Sequence, residues 1–144
     1  MKILFLNGPN LNMLGIREPG IYGAETLETI NKDIAKECEK LSVTPEFYQS
    51  NAEGDLIDKI HSVHFSDTDA IVFNPGAYSH YSIAIADAIK SISKPCVEVH
   101  ISNVFAREEK RQNMVTAVSS KGVISGFGAY SYILGLYAVV KGLK

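Results

Sequence analysis

No nucleotide-cofactor fingerprint occurs anywhere in these 144 residues. The first apolar run leads into no Gly-x-Gly-x-x-Gly and no Walker-type lysine loop, so nucleotide cofactors are unsupported. Gly126-Phe-Gly128 is followed by Ser131 instead of a third glycine. A serine-centred nucleophile elbow is missing as well. No apolar run approaches membrane-spanning length, and the opening MKILFLNGPN is interrupted too soon for a signal peptide. A formal net charge of −2 gives no electrostatic reason to expect nucleic acid or an anionic membrane as partner. Cysteine is scarce. Cys38 and Cys96 fall inside a predicted helix and a predicted strand, and neither has a sequence neighbour suited to activating it. Both read as buried, reduced thiols, which fits a cytoplasmic protein. Repeats, low-complexity tracts and linkers are also absent, so residues 1–144 read as one domain.

What is present begins with a loop. The short apolar run Ile3-Leu4-Phe5-Leu6 is followed by NGPNLNMLGIREPGIYG, residues 7–23. A strand usually reaches its next helix within about 2–6 residues. This connection is far longer, is punctuated by Gly and Pro, and carries Asn10, Arg17 and Tyr22. A cation and a phenol on such a loop suggest an active-site lid at about residues 8–24. Its Leu11, Met13, Leu14, Ile16 and Ile21 make it more apolar than disordered segments usually are.

The remaining chain alternates short β-branched runs with helical stripes. Expected strands are Lys2–Leu6, Thr44–Gln49, Ala70–Asn74, Cys96–His100 and Gly122–Ser125. Leu27, Ile30, Ile34, Cys38 and Leu41 form one helical stripe. Leu56, Ile60 and Val63 mark a second helix. Ile85, Ile89 and Ile92 mark a third, ended by Pro95, and Tyr132 to Val140 the last. A helix between successive strands implies parallel pairing with right-handed crossovers. The fold class is therefore α/β: a flavodoxin-like, doubly wound, five-stranded parallel sheet of order 2-1-3-4-5. Ligands in such sheets bind beyond the strands' carboxyl ends where the order reverses, here beside the first and third strands. Asn7-Gly8-Pro9-Asn10, Asn74-Pro75-Gly76 with His80, and His100-Ile101-Ser102-Asn103 all follow strand ends and converge there.

Only three arginines exist against eleven lysines: Arg17 in the loop, then Arg107 and Arg111, spaced as one helical turn after the fourth strand. A guanidinium is a rigid fork suited to carboxylate or phosphate, so arginines kept at this rim suggest an anionic ligand. A solvated helix face paired with Glu108 and Glu109 is the competing reading. Glu98 and His100, two apart on a strand, point to one face. A carboxylate beside an imidazole stabilises the protonated ring, which suits a general acid near pH 7. A metal site of His80, Glu98 and His100 is conceivable, although no known ligand spacing is present. His61 and His64 read as surface residues. Tyr22, with an ordinary pKa of ~10, is a poor base unless perturbed. A cation about 4 Å from its oxygen contributes roughly 4 kcal/mol at an effective dielectric near 20. That lowers the phenol's pKa by about 3 before desolvation subtracts. Arg17 is the candidate cation.

Four segments, LNGPNLNMLGIREPGIYG (6–23), FNPGAYSHYSIAIADA (73–88), EVHISNVFAREEKR (98–111) and GVISGFGAYSY (122–132), resemble the type II 3-dehydroquinate dehydratases in order and spacing. The resemblance implies dehydration of 3-dehydroquinate to 3-dehydroshikimate in the shikimate route or in quinate breakdown, without metal or cofactor. It implies assembly as a homododecamer of four trimers. Carried over by position, Tyr22 would be the base and Arg17 would depress its pKa. Asn10, through a bound water, would stabilise the enolate, and His100 supported by Glu98 would protonate the departing hydroxyl. Asn74, His80, Ile101, Ser102 and Arg111 would hold the substrate, Arg107 would act near the lid, and Asp87 would reach a neighbouring subunit's site. Lys110, the Gln112-Asn113-Met114 stretch and Ser131 depart from the family's usual residues, and the first two fall where subunits would pack. A non-catalytic flavodoxin-like binding module and a metal hydrolase are the competing functions. The third strand ends in Asn74 where a phosphoacceptor module would carry aspartate.

Overall fold

The computed structural model describes residues 1–16, 20 and 24–143. Five strands, β1 (Lys2–Asn7), β2 (Thr44–Gln49), β3 (Ala70–Asn74), β4 (Cys96–His100) and β5 (Gly122–Ser125), form one sheet. All pairings are parallel and the order is β2-β1-β3-β4-β5. The order reverses between β1 and β3, as expected of this architecture. Four helices follow from the apolar stripes: α1 (Leu27–Lys40), α2 (Glu53–His64), α3 (Ile83–Ser91) and α4 (Tyr130–Tyr137). α1 starts at a capping box in which Thr26 and Thr29 satisfy each other's backbone donors. α3 starts at Ser82, whose hydroxyl accepts from the Ile85 amide and donates to Glu53 on α2.

Side chains of a strand alternate between faces, and here that alternation sorts the core into two layers. Ile3, Phe5, Val72, Val97 and Val99 pack with Ile30 and Ile34 of α1 and with Tyr132 and Leu136 of α4. Leu4, Leu6, Ile71 and Phe73 pack with Leu56 and Ile60 of α2 and with Ile85 and Ile89 of α3. Each such side chain contributes roughly 1.5–3 kcal/mol by leaving water. Gly135 brings α4 close to the sheet: a Cβ there would sit 2.9 Å from both Val72 and Val99.

β1 runs one residue further than its apolar run suggests, because Asn7 keeps register with Asn74 of β3. Beyond these paired asparagines the two exits are pressed together. The Gly8 amide donates to the Asn74 carbonyl at 2.8 Å, and a Cβ on Gly8 would lie 2.4 Å from the Pro75 carbonyl oxygen. Gly76 holds a left-handed φ of 59° directly against Pro9. Further along, Leu11 and Leu14 are buried in the α1/α4 layer.

Both thiols are buried and free. Burial pushes Cys38 up to about 11 and Cys96 up to about 12, which disfavours the thiolate at neutral pH. Among the described residues no helix is long and apolar enough to cross a membrane.

Candidate functional site

The carboxyl ends of β1, β3 and β4 open into a crevice. Among the residues lining it are Asn10, Asn74, His80, His100, Ile101, Ser102, Arg107 and Arg111. Eight of the residues anticipated from strand-end position and resemblance thus meet in one place. Glu98 lies beneath them, wholly buried. Asp87 is on the exposed side of α3 and does not line this crevice. Arg17 and Tyr22 lie outside the described residues, as does part of the proposed lid. His61 and His64 are exposed on α2.

Glu98 and His100 alternate with the buried Val97 and Val99, so both project toward the α2/α3 face. His100 Nε2 lies 2.7 Å from Glu98 Oε1. The same oxygen accepts from the Ser79 hydroxyl at 2.6 Å, and Oε2 accepts from Thr116 at 2.7 Å. A buried carboxylate is tolerated when its lone pairs are satisfied. Here two hydroxyls and an imidazole satisfy them. That arrangement fixes the ring's orientation. The other ring nitrogen, Nδ1, makes no hydrogen bond among the described residues and is available to a ligand.

His80 stacks near His100, with ring centroids 6.2 Å apart and planes 26° from parallel. Its Nδ1 lies 2.8 Å from the Asn113 carbonyl oxygen, and only an N–H can donate to a carbonyl. Asn113 returns the contact, its side-chain amide donating to the His80 carbonyl at 3.2 Å. Burial, reinforced by the charges of His100 and Arg111, lowers the His80 pKa from its ordinary value against the opposing pull of the Asn113 carbonyl. The ring is therefore neutral at pH 7 and keeps Nε2 as an acceptor.

The opposite face supplies a different network. Asn7 and Asn74 project with Phe5 and Val72 toward α4, where Tyr132 meets both. The Tyr132 hydroxyl donates to Asn7 Oδ1 at 2.6 Å and accepts from Asn74 Nδ2 at 2.9 Å. Asn74 Oδ1 accepts from the Gly76 amide at 3.1 Å. Burial pushes the Tyr132 phenol well up, so it stays protonated.

Asn10 stands at the exposed mouth with a left-handed φ of 68°. Its amide donates to Asn51 Oδ1 at 2.9 Å, and Gln49 ties Asn51 to the Gly8 carbonyl.

One expectation changes. Arg107 and Arg111 do not sit one turn apart on a helix. Single turns at Val104–Ala106 and Glu109–Gln112 are separated by extended backbone at Arg107 and Glu108. This bend lets both arginines line the crevice, with Arg111 Nε bonded to Glu108 at 2.6 Å. The metal reading also finds no support in the geometry: among the described residues no group of three or more His, Cys, Asp or Glu is placed to hold a metal ion. Ser79, Thr116, Asn113 and Tyr132 were not anticipated as site residues. Of these, Asn113 belongs to a stretch that departs from the usual family residues, and it braces His80 within the same chain. Ser131, another departure, is buried and accepts from the Phe127 amide at 3.1 Å.

Residues 1–140 match the family model described as dehydroquinase class II. A 3-dehydroquinate dehydratase of Caldicellulosiruptor bescii is 55% identical over 138 residues, covering 96% of this chain and 95% of the relative. Another, from Carboxydothermus hydrogenoformans, is 56% identical over 144 residues, covering 100% and 93%. The crystal structure of a type II dehydroquinase from Butyrivibrio crossotus superposes with a TM-score of 0.93 at 52% identity, covering 94% of each chain.

Proposed function

Because the chain belongs to the dehydroquinase class II family, we infer that its crevice removes water from 3-dehydroquinate to give 3-dehydroshikimate. The protein is a lyase of the hydro-lyase type. The observation that carries this reading is the buried Glu98–His100 pair at the floor of a crevice that also holds two arginines, a pair we read as an oriented proton donor.

Our proposal for the mechanism starts with Tyr22 as base and Arg17 as the cation that keeps its phenol ionised. Tyr22 takes the proton beside the ketone, and the charge moves onto the carbonyl oxygen as an enolate. Asn10, acting through a water, stabilises that oxygen, a preorganised dipole aimed where charge develops. His100 then gives its proton to the hydroxyl as the carbon–oxygen bond breaks and water departs. Base and acid act on opposite faces of the ring, which is an anti elimination. A proton passing from Tyr22 back to His100 through solvent resets the site. Asn74, the Ile101–Ser102 turn, His80 and Arg111 hold the carboxylate and hydroxyls, and His80 Nε2 suits a substrate hydroxyl because it accepts. Arg107 acts where the lid, residues 8–24 of this single catalytic domain, closes. Exposed Asp87 is free to serve a neighbouring subunit's crevice in a homododecamer of four trimers. We place the enzyme in the cytoplasm, serving aromatic amino-acid biosynthesis.

Adding 3-dehydroquinate to the purified protein with a chelator present tests the reading. Growth of the ultraviolet absorbance of the conjugated enone is expected. A folded protein that yields no such absorbance contradicts it.

A further inference from the structure

The hydrogen bonds around Asn74 can be given direction without seeing a hydrogen. A backbone amide only donates, so the atom that Gly76 N–H meets must be the Asn74 carbonyl oxygen, Oδ1. Nδ2 then faces Tyr132, whose hydroxyl must accept from it. With that contact taken, the single phenol proton goes to Asn7 Oδ1. Neither end of the Asn74 amide can turn over without breaking a bond in this buried chain. Its second N–H has no acceptor among the described residues, although Asn74 is only 3% exposed and lines the crevice.

We propose that Tyr132, which lines no part of the crevice, is a positioning residue. By locking the Asn74 amide it presents that one N–H as a fixed donor to a substrate oxygen, the negatively charged carboxylate, and so sets affinity separately from chemistry. The inference rests on the dehydratase reading for the identity of the substrate. Tyr132 suits this role because it is wholly buried and α4 lies close against the sheet at Gly135. Its oxygen therefore reaches the register pair Asn7 and Asn74 from below. The device is neutral, and no proton leaves it. Its effect belongs in substrate binding and not in turnover.

The test is steady-state kinetics of Tyr132→Phe with 3-dehydroquinate, alongside its thermal midpoint. Removing the hydroxyl leaves the Asn74 amide held only through the Gly76 contact and takes the donor from Asn7 Oδ1. We expect KM to rise about tenfold, the scale of one hydrogen bond to a charged group, with kcat within about twofold. Should the Phe variant fail to fold, Asn7→Ala carries the same test, because it removes the acceptor that points the phenol proton. Its expected KM increase is about threefold, again with kcat preserved. An unchanged KM, or a loss confined to kcat, in a folded variant overturns the proposal. Wild-type protein without dehydratase activity would instead remove the reading it rests on.

Discussion

One sheet feeds the same crevice from two faces, and the two faces are built from different chemistry. On the α2/α3 side a buried carboxylate is saturated by two hydroxyls and an imidazole. Across the sheet, two amides and a phenol form a neutral chain with fixed donor direction. Strand alternation alone separates them: Glu98 and His100 share one parity, and Asn7 and Asn74 share the other with the α1/α4 core. The lesson is a division of labour. In the mechanism we propose, the charged network moves a proton, and the neutral one orients a donor and stays unchanged through the reaction.

Substitutions on each side should therefore damage different kinetic parameters. The largest effect is expected from His100→Ala, which removes the acid and should lower kcat by about 10²–10⁴ with KM nearly kept. Stopped assays of 3-dehydroshikimate at saturating substrate measure it. On the other face, Asn74→Ala removes the oriented donor, and KM should rise about tenfold with a smaller change in kcat. Thr116→Val probes the support of the carboxylate. Leaving Glu98 Oε2 without its hydroxyl should cost about 1–3 kcal/mol of stability, read by urea unfolding.

The mildest prediction concerns pH. Burial lowers the His80 pKa below its ordinary 6.5, so the ring stays neutral at pH 7 and gains a proton only in more acid solution. Protonation removes the Nε2 acceptor, and KM should rise as pH falls through that lowered value. Stability follows the same sign: an unfolded His80 binds its proton at higher pH than the folded one, so folding weakens as pH falls below 6.5. A KM that does not rise at any pH below 6.5 at which the protein stays folded would remove His80 from substrate binding.

Much of this was legible in the residues, and the part that was not has a physical reason. Short β-branched runs marked four of the five strands at their observed ends, and stripes such as Ile30, Ile34 and Cys38 marked the helices. β1 gains Asn7 because register with β3, which is invisible locally, continues past the apolar run. The Glu98–His100 spacing disclosed their contact, since residues two apart on one strand share a face. Ser79, Thr116 and Tyr132 stayed hidden because they reach their partners across 19, 18 and 125 positions of sequence. A serine or tyrosine that braces a site carries no local sign of it. Arg107 and Arg111 were read as one turn of helix, but the backbone at Arg107 and Glu108 is extended, which their spacing does not disclose.

The most direct test of the division between faces is kcat and KM of Glu98→Gln with 3-dehydroquinate. The amide keeps the volume of the carboxylate but withdraws the charged acceptor that His100 Nε2 meets. A fall in kcat of about 100-fold with KM within about threefold is the predicted result. Wild-type kcat, or a loss that appears in KM alone, would contradict the assignment of proton delivery to this face.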